Sequence, residues 1–498
     1  MDRPGMDRLN MDRRNMDRRT FLRLSAAACA VLQVPAALSQ EKPASLHLTV
    51  RPDRLGNKIQ SDFTGLSYES AQLANPNFFS GENTGLISFV QRLGNSGVLR
   101  IGGNTSEYCY WKPNSESKSA AADLAVGPDP GHEAAPSADI TPQAVRNLRD
   151  FVDASGWKLI YGLNMGTGTV KDAVAEAAYV ADIVGSKLIA FQLCNEPDLF
   201  YRNGIRKSDY EFPQFAAEWQ RFYDAIRARV PSAPFAGPDT AFNTSWLVPF
   251  ARKFKNEIRF LSQHYYAEGP PTDPSMTIER LLRPNPKLQE EFDGMKKTAQ
   301  ETGLPFRLAE TNSCYSAGKP GVSDTFASAL WAADLMYQLA SEGGSGINFH
   351  GGGYGWYTPI AGTPDHGFLA RPIYYGMLLF AQAGVGQLIE AKLDGGEQAP
   401  LLTAYALRSD AGNIKAAIFN KNLDREIQLD IAAPGKSATV MRLHAPRIDD
   451  TTDVTLAGSP VGANGSWSAG HEENLVAQNG NLVFELPAAS AALLSFEP

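Results

Sequence analysis

The sequence predicts a (β/α)8 barrel followed by a β-sandwich, and three observations carry that prediction. Eight short apolar runs alternate with amphipathic stretches from residue 62 onward. The alternation stops near residue 384, and short period-two segments punctuated by Gly, Pro and Asn take its place. A chain of 498 residues is also too long for one core and fits about two domains.

The eight runs are FTGLSYES (63–70), GVLRIGG (97–103), WKLIYGLN (157–164), LIAFQLCNEP (188–197), PFAGPD (234–239), IRFLSQHYY (258–266), PFRLAET (305–311) and SGINFHGG (345–352). Between them lie helical patterns such as TPQAVRNLRDFVDAS, with Thr141 as its cap, TVKDAVAEAAYVADIVG, FPQFAAEWQRFYDAIRARV and DTFASALWAADLMYQLASEG. Strand and helix in regular alternation predict a parallel barrel over 61–384. The competing doubly wound sheet would carry a phosphate-binding glycine fingerprint after its first strand, where this chain reads GLSYESAQLAN. LLTAYAL, NIKAAIFN, EIQLDIA, ATVMRLHA, NLVFELP and AALLSFEP then alternate as strands of a sandwich over 385–498. An isolated strand, SLHLTV, within 40–60, is expected to join that second domain.

The first 39 residues are read as an export signal of twin-arginine type. Met-Asp-Arg recurs at Met1, Met6, Met11 and Met16, and is followed by Arg18-Arg19, a short apolar stretch and small residues at Ala37 and Ser39. The apolar stretch from Leu24 to Leu38 falls short of the roughly 20 residues a membrane span needs. The segment holds seven arginines and four aspartates, so its removal takes the formal charge from −8 to −11. With no Lys/Arg cluster in so acidic a chain, nucleic acid and anionic membrane are not expected partners. Cys109, Cys194 and Cys314 remain as an odd set and read as free, buried thiols. The expected location is the periplasm or the medium.

Hydrophilic residues cluster at the C-terminal ends of the runs, where a barrel places its chemistry: Glu69, Asn104, Asn164, Asn195, Glu196, Tyr265 or Tyr266, and Glu310. Runs 4 and 7 both end in a glutamate within an apolar strand. Ionised carboxylates there are unfavourable unless paired or used. Each could cap a helix or pair with Arg100 or Arg307. Two carboxyl groups facing one cleft are also what glycoside cleavage requires, one protonated for the leaving oxygen and one ionised. The seven histidines lack H-x-H or H-E-x-x-H spacing, so His264 and His350 read as hydrogen-bonded core residues, with neither metal nor cofactor expected.

NEP at the end of run 4 with a glutamate ending run 7 resembles the clan A retaining glycosidases. RIGGNTSEY, IYGLN, CNEPDLF, QHYY and LAETNSCYSAGKPGVSDTFASALWAADLM together resemble glycoside hydrolase family 79, the β-glucuronidase and heparanase family, over most of 62–385. The resemblance implies a retaining exo-β-glucuronidase acting on carbohydrate with terminal glucuronic acid. Glu196 would be the acid/base, Glu310 the nucleophile and Asn195 the holder of the sugar 2-hydroxyl, while one of Tyr265 and Tyr266 would orient Glu310. Glu69 and Asn104 would meet the far hydroxyls, although Glu69 could instead bond a barrel-mouth amide. The turn Tyr315, Ser316, Ala317 with Tyr357 would hold the uronate. Ser316 and Ala317 stand where the family often has glycine, which leaves the turn geometry open. Trp111, Tyr354 and Trp356 could stack on sugar or simply pack.

Three alternatives stay on the page: an endo-acting heparanase-like enzyme, another clan A arabinofuranosidase or xylosidase, and a non-catalytic sugar-binding protein. The endo-acting enzyme would need a basic groove that the acidity opposes. The Ala-, Pro-, Gly- and Ser-rich insertion Lys112–Ile140 is expected to wall off the cleft into a pocket. One outcome follows from the leader: the exported protein should begin near Ser39 or Gln40, which N-terminal sequencing of the mature chain checks, and a retained Arg18-Arg19 would contradict it.

Overall fold

The computed structural model describes residues 45–115, 137–395, 399, 401–432 and 434–497. The export segment and the greater part of the Lys112–Ile140 insertion, 116–136, lie outside these residues. Eight parallel strands match the eight runs: β1 Thr64–Glu69, β2 Val98–Gly102, β3 Lys158–Gly162, β4 Leu188–Gln192, β5 Ala236–Thr240, β6 Phe260–Glu268, β7 Phe306–Cys314 and β8 Ile347–Gly351. They pair in the order β4-β3-β2-β1-β8-β7-β6-β5. A parallel bridge between Phe191 and Phe235 joins the two ends, so the sheet closes into a barrel.

The helices start where local chemistry allows them to. Thr141 accepts from the Ala144 N–H with Pro142 at the first helical position of Pro142–Ser155, and Thr169 accepts from Asp172 N to open Val170–Val184. Their apolar faces cover the outside of the barrel. Inside it, the N-terminal end is closed by Val98, Ile160, Ala190, Ala236 and Phe260. Arg307 also lies toward that end, where it donates to Asn348 Oδ1 (2.6 Å) and to the carbonyls of Asp62 and Phe63. It is therefore no partner for Glu310.

The second domain is one ten-stranded sheet. Strands from its opposite ends share a core, as Leu429 and Phe484 pack with Ile418 and Leu494, so the sheet folds over on itself as a sandwich. The N-terminal strand Ser45–Ile59 lies within it, antiparallel to Gly386–Asp394 and parallel to Ile427–Ala432.

Barrel and sandwich share a continuous core. Helices Phe326–Ser341 and Pro372–Ala383 are apolar nearly all round because they are covered on both sides, by the barrel and by Leu407, Phe419 and Leu493 of the sheet. Tyr337 stacks on Tyr405 at 5.0 Å. Beside it the carboxylate of Asp334, buried with Lys421, accepts from the Lys421 ammonium, Thr403 Oγ1 (2.7 Å) and Tyr405 OH (2.8 Å). Lys421→Met should leave Asp334 without its cation and destabilise the protein by about 3–5 kcal/mol, while the double change Asp334→Leu/Lys421→Met should recover most of that. Urea unfolding of the three proteins checks this, and a single variant as stable as the parent would contradict it.

Candidate active site

Arg100 on β2 has no exposed surface. Its guanidinium donates to Ser67 Oγ (3.2 Å), Gln192 Oε1 (2.8 Å), Asn195 Oδ1 (2.8 Å), Asp239 Oδ2 (2.6 Å) and Glu310 Oε2. These acceptors come from β1, β4, the loop after β4, β5 and β7. One buried cation thereby ties five segments of the barrel mouth together.

Glu310 on β7 is only 6% exposed. Its Oε1 accepts from Tyr266 OH at 2.7 Å, and His350 Nδ1 lies 3.7 Å from its Oε2. Burial alone would raise its pKa. The charges of His350, His264 and Arg100, with the Tyr266 bond, outweigh burial and hold the carboxyl well below the usual range. Glu310 is ionised.

Glu196 follows β4, and its backbone is left-handed, at φ 47° and ψ 55°. That conformation is unfavourable for a residue with a side chain. It is held by Glu196 N donating to Asp239 O at 2.9 Å and by His264 Nδ1, 2.9 Å from Glu196 Oε1. Burial raises the Glu196 pKa and the Glu310 charge adds to the rise, against the bond and charge of His264. The two glutamates therefore sit in opposite protonation environments.

His264 on β6 also places Nε2 3.1 Å from Asp239 Oδ1. Burial would depress its pKa, but Asp239 and Glu310 outweigh that and raise it to about 10. The imidazolium then donates from both nitrogens, one to each carboxyl group. Glu196, His264 and Glu310 offer ligand-type atoms within 4.8 Å of one another. Arg100 and Tyr266 already occupy the oxygens of Glu310, and His264 is bonded through both ring nitrogens, so the trio reads as a charge network.

The remaining sequence candidates divide. Asn195 Nδ2 donates to Asn104 Oδ1 at 3.0 Å, which puts both at the mouth. Glu69 Oε2 accepts from Thr105 N (2.8 Å) and Oγ1 (2.6 Å), so it does bond a barrel-mouth amide, while Oε1 faces His350 Nε2 at 3.4 Å. Gly103 makes this possible: its φ is +72°, and a Cβ there would stand 2.4 Å from Glu69 Oε2. Tyr265 is a correction. Alternation along β6 sends it outward, where it packs on Phe242 and its hydroxyl accepts from Asn285 Nδ2, so of the two only Tyr266 reaches Glu310.

Tyr315 is exposed beside Tyr266, with ring centroids 6.5 Å apart, and the buried Tyr357 lies 6.2 Å from Tyr266 on another side. Ser316, Ala317 and Gly318 all have positive φ, at 58°, 62° and 90°. The left-handed turn is thus formed with Ser316 and Ala317 at two positions that glycine would favour. Among the described residues none of the three backbone N–H groups is taken by a protein acceptor. Trp111 packs on Tyr179, whereas Tyr354 is exposed. Cys109, Cys194 and Cys314 are buried and form no disulfide.

Sequence reasoning took Arg100, His264 and His350 for structural partners and passed over Asp239, Gln192 and Glu107. Their shared signal was available: a charged or strongly polar residue inside, or closing, an apolar barrel run, where burial demands a partner.

Residues 205–337 match the N-terminal domain of glycosyl hydrolase family 79, and residues 404–493 match that family's C-terminal β domain. The first segment contains Asp239, His264, Tyr266 and Glu310. A protein named β-glucuronidase from Aspergillus niger is 26% identical over 413 residues, covering 75% of this chain and 72% of that protein. One of the same name from Neurospora crassa is 24% identical over 358 residues, covering 64% and 61%, so less than two thirds of that second relative is spanned. Among solved structures, the 4-O-α-L-rhamnosyl-β-D-glucuronidase of Fusarium oxysporum 12S superposes with a TM-score of 0.73 at 18% identity, over 91% of this chain and 100% of that one. The α-L-arabinofuranosidase of Thermotoga maritima gives 0.67 at 17% identity, over 91% and 100%. At such identities the solved structures establish the fold.

The two tyrosines make a direct comparison. Tyr266→Phe removes a hydrogen bond to an ionised group and should lower kcat by about 10- to 100-fold. Tyr265→Phe should leave kcat unchanged. Steady-state turnover of a chromogenic glycoside by both variants checks this, and equal losses would contradict the assignment.

Proposed function

The chain belongs to glycoside hydrolase family 79 and is a glycoside hydrolase, and from that premise we propose that it is a retaining exo-β-glucuronidase. The observation that carries the proposal is the pair Glu196 and Glu310: carboxyl oxygens within 4.8 Å, with the proton affinity of the first raised and that of the second lowered. Retaining enzymes separate their carboxyl groups by about 5–5.5 Å, and inverting enzymes by about 6.5–9.5 Å to admit a water.

Glu310 attacks the anomeric carbon as the glycosidic bond breaks. Glu196 gives its proton to the departing oxygen. Because Glu196 Oε1 accepts from His264, that proton resides on Oε2. Formation of the glycosyl ester removes the Glu310 charge, and with it one cause of the raised Glu196 pKa. Glu196 then takes a proton from water, which attacks the same carbon and releases Glu310. Asn195, with its Oδ1 on Arg100 and one Nδ2 hydrogen on Asn104, keeps a second Nδ2 hydrogen for the sugar 2-hydroxyl.

A uronate substrate is supported by the names of the two relatives and by the turn at 316–318. Its three untaken N–H groups follow one another in left-handed backbone, the kind of concavity that binds a carboxylate without a cationic side chain. Tyr315 and Tyr357 border it. This gives an acidic chain a local means of holding an acidic sugar. The leader supports export to the periplasm or the medium.

A chromogenic aryl β-glucuronide should be hydrolysed in preference to the glucoside, xyloside and arabinofuranoside. Glu310→Gln and Glu196→Gln should each abolish most of that turnover, and azide should restore it only where a small residue replaces a glutamate. The pH profile of kcat/KM should be bell-shaped, with the acid limb displaced below ordinary carboxylate values because Glu310 must lose its proton, and the alkaline limb displaced upward because Glu196 must keep one. Turnover of arabinofuranosides in place of glucuronides would overturn the substrate and leave the fold standing.

A further inference from the structure

Glu107 is 1% exposed, and no step described so far uses it. It lies in the 3-10 turn Asn104–Tyr108 after β2. Its Oε1 accepts from the backbone N–H of Asn195 at 2.6 Å, and its Oε2 accepts from the backbone N–H of Gly166 in the loop after β3. The carboxylate is thus met by two main-chain donors from neighbouring loops. Gly166 is fitted to it: a Cβ there would stand 2.5 Å from Glu107 Oε2.

The bond to Asn195 falls one residue before the acid/base. Glu196 needs its left-handed backbone to aim its carboxyl across the cleft, and such a strained conformation persists only when neighbouring contacts over-determine it. Two backbone anchors bracket the position: Asn195 N on Glu107 and Glu196 N on Asp239 O. The same turn clasps Glu69 through Thr105 and the Asn195 side chain through Asn104.

We infer that Glu107 is a positioning residue for the acid/base: by holding the Asn195 amide it fixes the backbone from which Glu196 reaches the glycosidic oxygen. It acts through Glu196, so its removal impairs proton donation to the leaving group and spares attack by Glu310. The inference rests on the acid/base assignment above.

The test compares two substrates whose need for a proton differs. Phenyl β-glucuronide has a poor leaving group that must be protonated; 2,4-dinitrophenyl β-glucuronide has one that departs without help, and kcat/KM reports the first chemical step alone. Glu107→Gln keeps the side chain's shape but turns an N–H donor toward a backbone N–H. Its kcat/KM should fall by about tenfold or more on the phenyl substrate and by less than about threefold on the dinitrophenyl substrate. Gly166→Ala, which pushes on the same carboxyl group from outside and leaves that group in place, should reproduce the pattern and carries the test if Glu107→Gln does not fold. Equal losses on both substrates, or none on either, in a folded variant would overturn the inference while leaving the enzyme's assignment intact. A parent enzyme inactive on both glucuronides would bring down the functional reading and this inference with it.

Discussion

The site is organised around the charge of Arg100 inside the barrel. A guanidinium with no solvent must be compensated, and Asp239 and Glu310 supply the compensation directly. His264, charged and bonded to Asp239 and Glu196, is the second cation. Arg100 and His264 face Asp239 and Glu310, and His350 adds its charge beside Glu310. Burial raises the proton affinity of Glu196, and the neighbouring Glu310 charge adds to the rise against the pull of His264. Glu196 and Glu310 are distinguished by the cations each faces, since they are the same residue type at the same barrel mouth.

The second organising feature is backbone placement. Glu196, Ser316 and Ala317 are residues with side chains in left-handed conformations, and all three stand at the C-terminal face. Neighbouring loops hold them there: Asp239 and Glu107 brace the segment around Glu196, and Trp356 N donates to Ala317 O at 2.8 Å to close the turn at 316–318. Strain of this kind is tolerated because the barrel beneath is rigid and the two long helices against the sandwich are buried on both sides.

Much of the architecture was legible in the chain. The eight apolar runs became eight strands, and the helical patterns opened at Thr141, Thr169 and Pro372 as their caps and prolines direct. The two glutamates were legible too, because a carboxylate ending a buried strand calls for an explanation. His264 and His350 were read as hydrogen-bonded interior residues, and they are: His264 meets Glu196 and Asp239, and His350 meets Ser67 and Glu69. Tyr265 and Tyr266 could not be separated, because period-two alternation fixes that they diverge and not which of them faces inward. Arg100 and Arg307 looked alike as strand arginines, yet one meets carboxylates at the mouth and the other meets carbonyls toward the opposite end.

By itself, then, the sequence determined periodicity, element type and the presence of two carboxylates at strand ends, since these depend on residues near one another in the chain. Only the tertiary structure decided which groups share the cleft and what charge each carries. Glu196 and Glu310 come within 4.8 Å only through closure of the barrel. Their opposite proton affinities arise from burial and from the charges of His350, His264 and Arg100 on three other strands, because electrostatic interaction in a buried site depends on distance through space and on the water excluded from between the charges.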